Sequence, residues 1–128
     1  MDAAEVVAAY AAAWNDGDTE RAWSYFADDV VMRLPGRGAL AGEHRGREAV
    51  LGAIRALLER TSGSYAHVDV IDRLVSDDRV ALVLRESATR GDERLEHRRV
   101  SVYRVANGQI VDIDIYEANQ YEVDAFFG

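Results

Sequence analysis

Four strand-length segments follow one another in the second half of the chain with almost nothing between them. They cover residues 65–75, 80–89, 95–105 and 110–116, and are separated by Ser76-Asp77-Asp78, Gly91-Asp92 and Asn107-Gly108. Turns this short join antiparallel neighbours, since a parallel crossover needs a dozen residues or more. The second half therefore reads as one antiparallel meander, and everything else must pack against it.

The first half is mostly helical. Residues 2–15 place Val7, Tyr10 and Trp14 on one stripe, with Asp2 as N-cap and Glu5 completing a capping box. Gly17 ends that helix, and Asp18 caps a short second one whose Ala22, Trp23 and Phe26 face inward. Asp28-Asp29 is a turn into a strand over 30–34, which Pro35-Gly36 breaks; 36–46 is a loop holding one short strand. Over 47–60, Val50, Leu51, Ile54, Leu57 and Leu58 share one helical face, and Thr61-Ser62-Gly63-Ser64 stops the helix. Residues 118–127 form a terminal helix whose Tyr121, Phe126 and Phe127 seal the domain or a dimer contact. Helices first and a meander after them argue for a single α+β domain over 1–128, with helices on one face of the sheet.

Charge and composition narrow the partners. A net charge of −8 repels a phosphate backbone, so no nucleic acid is expected, and the arginines at 45/47 and 94/98/99 read as mixed-charge surface. No apolar run approaches a membrane span, and Asp2 and Glu5 stand where a secretory signal would be basic; the expected location is cytoplasmic. There is no cysteine, and His44, His67 and His97 are scattered, so no metal is expected. No glycine-rich phosphate loop is present, and no cofactor is implied.

The stretches Tyr10 to Asp18, Phe26-Ala27-Asp28-Asp29-Val30, Ala41 to Val50, Tyr103 to Val111 and the final Tyr116 together resemble the NTF2-like superfamily. This includes ketosteroid isomerases, SnoaL-type polyketide cyclases and limonene epoxide hydrolases. The resemblance implies a cone, a curved antiparallel sheet wrapped around N-terminal helices, and a homodimer. It also allows a test position by position. The helix-one tyrosine that donates to a substrate oxyanion in ketosteroid isomerases is matched by Tyr10. Their general-base aspartate falls at Leu34, and the protonated aspartate of their oxyanion hole at Ser101. The acid that the cyclases and epoxide hydrolases carry on the last strand falls at Ile115. The resemblance thus implies a pocket without the familiar catalytic acids.

If Ser101 faces that pocket, Leu95, His97, Arg99 and Tyr103 share its face. A two-residue hairpin loop at Gly91-Asp92 sets Glu86 opposite His97, a four-residue loop opposite Arg99, and an odd-length loop turns Glu86 outward. In either even register, Glu86 orients His97 as a general-base pair, Arg99 holds an anionic or enolate oxygen, and Tyr10 donates to it. Trp14, Leu34, Ser101, Tyr103, Ile113 and Ile115 complete the lining, Val111 falling in the same apolar set, while Asp112 and Asp114 face solvent or a dimer partner. Arg85 belongs to the other face. The polar patch reads equally as a structural ion network, and Tyr10 as core. Three functions follow: proton-transfer enzyme of isomerase, cyclase or lyase type on an apolar oxygenated molecule, non-catalytic container for such a ligand, or interaction domain.

Overall fold

The computed structural model describes residues 1–61 and 68–128. His67 and the loop signal at 62–64 lie outside them. Helices α1 (Ala3–Asn15), α2 (Thr19–Trp23), α3 (Arg47–Arg60) and α4 (Gln120–Phe127) pack on a curved sheet. Its strands are β1 (Phe26–Leu34), β2 (Gly42–Arg45), β3 (Val68–Val75), β4 (Arg79–Arg90), β5 (Glu93–Ala106) and β6 (Gln109–Glu117). Their order is β2-β1-β6-β5-β4-β3. All pairs are antiparallel except β1 with β6, which run parallel and join the first half of the chain to the last strand.

Local chemistry explains the ends of α1. The Glu5 backbone N–H donates to Asp2 Oδ1 at 2.8 Å and the Asp2 N–H donates back to Glu5 Oε1 at 3.1 Å. These bonds satisfy two of the donors that a helix start leaves open. At the other end Gly17 takes φ +73°, where a side chain would be strained. The face carrying Ala3, Val6, Val7, Tyr10 and Ala13 is buried against the sheet. Val6, Val7, Val30, Val50, Val80 and Ile110 are wholly excluded from water. Burying each such side chain stabilises the fold by roughly 1.5–3 kcal/mol.

Two hairpins set the register of the sheet. Gly91 and Asp92 form a two-residue loop, with Arg90 paired to Glu93 and therefore Glu86 to His97. Asn107 and Gly108 both take positive φ, +53° and +74°, the pattern of a type I′ turn. From there β5 and β6 pair Ala106 with Gln109, but a bulge between Arg104 and Val105 adds one residue on β6. The bulge restores the inward direction of Ile113 and Ile115 after Ile110.

Several expectations are corrected. Asp28 and Asp29 are not a turn: β1 begins at Phe26, so Phe26 reaches the core from a strand, and the irregularity at these residues is a register shift against β6. Val111 sits at the bulge half-buried, and Ile110 takes its place in the core. Asp112 and Asp114 do point outward, but both are half-buried and paired, Asp112 between Arg33 and Arg104, Asp114 with Arg33. Phe126 and Phe127 do close the domain, packing with Val123, Ala88 and Leu95, whereas Tyr121 is 91% exposed and takes no part in that cluster. The guanidiniums of Arg60 and Arg90 donate to the last carbonyls of α4, tying it down. No helix among the described residues is long and apolar enough to cross a membrane.

Candidate functional site

Between α1, α3 and the concave face of the sheet lies a cavity of about 100 Å³. Tyr10, Trp14, Leu34, Glu86, Arg99, Ser101, Tyr103, Ile113 and Ile115 all border it, together with further hydrocarbon side chains such as Met32, Ile54 and Leu82. His97 does not. Its side chain is 1% exposed and lies behind the wall.

Strand alternation produces this lining. Along β5, Leu95, His97, Arg99, Ser101, Tyr103 and Val105 are buried while their neighbours are not. The two-residue hairpin brings Glu86 onto the same patch, and Arg85 is exposed on the other face. The last strand adds a carboxylate that sequence reasoning missed. Glu117, opposite Arg99, continues the inward row of Ile113 and Ile115, and its side chain is 2% exposed. Reading the strand two residues further in the same alternation would have found it. The last strand therefore does carry a buried acid, one pleat beyond Ile115.

Glu117 is the hub of the cluster. Arg99 clamps it with two nitrogens: Nε donates to Oε1 at 3.1 Å, and Nη2 bonds Oε2. His97 Nδ1 is 3.1 Å from the same Oε1. The expected Glu86–His97 pair is thus corrected: the ring is oriented by Glu117, and its Nε2 lies 3.9 Å from Glu86 Oε2. Arg99 Nη1 approaches that Oε2 to 3.4 Å, and the atom is buried with no hydrogen bond from any described residue. Burial pushes the Glu117 carboxyl up, but the hydrogen bond from His97 and the charge of Arg99 outweigh it and hold it below the ordinary range.

The two tyrosines remain neutral donors. Burial drives the Tyr103 phenol up to about 12, against a hydrogen bond with Ser101 that lowers it. Burial, with Tyr103 and Glu86 nearby, raises Tyr10 well above its ordinary value. Their rings stack at a tilt with centroids 5.6 Å apart, and Tyr10 also meets Phe26 and Trp14. Tyr10 is both core and cavity wall. The indole Nε1 of Trp14 is buried without a partner among the described residues. His44 serves its loop, with Nε2 2.8 Å from the Leu40 carbonyl.

A cone-like sheet closed by helices over a mixed cavity is the NTF2-like architecture, and known proteins agree. Residues 7–113 match the SnoaL-like domain family, and the chain belongs to that family. An uncharacterized protein of Mycobacterium tuberculosis is 29% identical over 118 residues, covering 91% of this chain and 88% of the relative. Bal32a, from a soil-derived mobile gene cassette, superposes with a TM-score of 0.91 at 32% identity, covering 98% of this chain and 95% of Bal32a. Two more distant structures share the fold alone. One is an NTF2-like protein of Burkholderia thailandensis (TM-score 0.87, 21% identity, 100% and 98% covered). The other is TerC co-crystallized with polyporic acid (TM-score 0.83, 16% identity, 96% and 95% covered).

Proposed function

We propose that this chain is a cofactor-independent enzyme that moves a proton on an apolar, oxygenated small molecule, in isomerase, cyclase or lyase chemistry. One observation carries the reading: Glu86 is the one carboxylate among the described residues in the wall of a cavity otherwise made largely of hydrocarbon. With Oε2 turned back toward Arg99 and His97, Oε1 is the oxygen left for substrate. Glu86 takes the proton, Arg99 holds the oxygen on which charge develops, and the neutral phenol of Tyr10 donates to it. Polyporic acid in TerC supports a ligand of this kind in the same fold.

The second reading is a container without chemistry. What favours it is that Arg99 and His97 are already engaged by Glu117, so much of the cluster is satisfied with no ligand. The two separate on 5-nitrobenzisoxazole, a flat apolar probe whose ring opens when a base removes one proton. Saturable ring opening well above the rate with acetate supports the enzyme. Saturable binding with no acceleration supports the container.

The protein works as a pair of chains in this proposal. Ala81, Val83, Val100, Val102 and the 59% exposed Tyr116 form an apolar strip on the outer face of the sheet, suited to a second copy. Sedimentation at micromolar concentration is expected to give twice the 14.2 kDa of one chain. A monomer there contradicts the dimer.

A further inference from the structure

A second, smaller space of about 50 Å³ lies beneath α4, bordered by Pro35, Leu40, Ala41, Gln120, Asp124 and Phe127 among others. Arg99, Leu34 and Leu57 border both spaces, so the two are back to back. Glu86 belongs to the wall of the larger one only, and Glu117 to the wall of the smaller one only. His97 stands between these carboxylates and addresses one with each ring nitrogen: Nδ1 to Glu117 at 3.1 Å, Nε2 to Glu86 at 3.9 Å. The three groups come from three neighbouring strands, β4, β5 and β6, with the charge of Arg99 alongside.

We propose that His97 is a proton relay joining Glu86 to Glu117, so that the site exchanges protons with water through the smaller pocket rather than through the ligand cavity. This rests on the reading of Glu86 as the cavity base. A ligand that fills a hydrocarbon cavity excludes water, and a protonated Glu86 then has no solvent within reach on that side. The smaller space is large enough for water, which needs roughly 10–15 Å³ for one molecule, and it has polar walls at Glu117, Gln120 and Asp124.

The outward passage is balanced. The proton that Glu86 takes on Oε1 comes to face His97 when the carboxyl turns over; it moves to His97 Nε2 as the proton on Nδ1 moves to Glu117 Oε1, and Glu117 releases it to water. Glu86 is left ionised and the ring neutral, now protonated on Nε2. The inward passage reverses each step, restoring the ring and returning a proton to Glu86. The Nε2 contact must shorten by about 1 Å to reach hydrogen-bond length, within reach of a small turn of the Glu86 side chain. Alternating passages suit a residue that takes a proton from one substrate atom and returns one to another. The hydrogen delivered to product then derives from solvent.

The test needs no substrate, so its outcome stands apart from that of the enzymatic reading. Exchange of the His97 ring N–H with water is measured by NMR on chain labelled with 15N-histidine, the signal being assigned by its loss in His97→Gln. Removing the exit acceptor with Glu117→Gln is expected to slow this exchange at least tenfold, while Glu86→Gln leaves it within twofold. Ala41→Leu, which fills the smaller pocket and leaves the cluster in place, is expected to slow it as well and guards against loss of folding in the first variant. A network that merely braces the sheet loosens when Glu117 is changed and is indifferent to the pocket. Faster or unchanged exchange in folded Glu117→Gln or Ala41→Leu overturns the relay.

Discussion

The Glu117→Ala variant is expected to melt about 10–20 °C below the parent chain. The substitution takes the nearer carboxylate from two buried partners, the Arg99 guanidinium, whose side chain is 9% exposed, and the His97 imidazole, at 1%, leaving them the longer contacts to Glu86. Breaking a buried pair by deleting one member costs about 3–5 kcal/mol, because the remaining buried charge loses its best-placed counter-ion and cannot reach water. For a domain of this size each 1 kcal/mol moves the midpoint by roughly 3–5 °C. Scanning calorimetry reads the shift directly, and a change under 3 °C shows that the cluster does not hold the sheet. Acid makes the same point. Glu117 is held below its ordinary value near 4.5, so above that value its stabilisation is fully present. As pH falls through the ordinary value toward the lower one, the unfolded chain takes up the proton first and the stabilisation is lost. The Glu117→Gln variant is expected to lack this part of the acid limb.

Glu86→Gln is expected to lower kcat/KM for ring opening of 5-nitrobenzisoxazole by about 10²- to 10⁴-fold, the usual contribution of a positioned general base. The amide keeps the volume and an acceptor oxygen, so binding of the probe is expected to stay within about threefold, which calorimetric titration of the variant measures. Glutamine can no longer accept a proton at that position. Turnover within threefold of the parent chain would place any base elsewhere and remove Glu86 from the chemistry.

Much of the fold was legible because its signals are local. The Asp2–Glu5 capping box, Gly17, the helical face of α3 and the alternation of β5 each depend on residues within a few positions of one another. The lining residues on β5 followed from that alternation and one turn, once the Gly91-Asp92 loop proved to be two residues long. What escaped was non-local. The parallel pairing of β1 with β6 leaves no mark on either strand alone, so Asp28 and Asp29 looked like a turn. The β6 bulge changes which apolar residues point inward, so Val111 was read in place of Ile110. Glu117 was missed because a charged residue after Tyr116 looks like the end of a strand; only its partners across the sheet make it an interior group. The same cross-strand geometry moved the orientation of His97 from Glu86 to Glu117.

The loop at Gly91-Asp92 has a consequence out of proportion to its size. Side chains on a strand alternate with a period of two, so the parity of that exposed turn decides which residues of β4 meet the inward row of β5. A slip of this pairing by one residue would hand the interior to Arg85 and Ser87 and turn Glu86 out to water. The turn at a solvent-washed corner, by holding one pairing, thus decides the chemistry of a chamber some distance away.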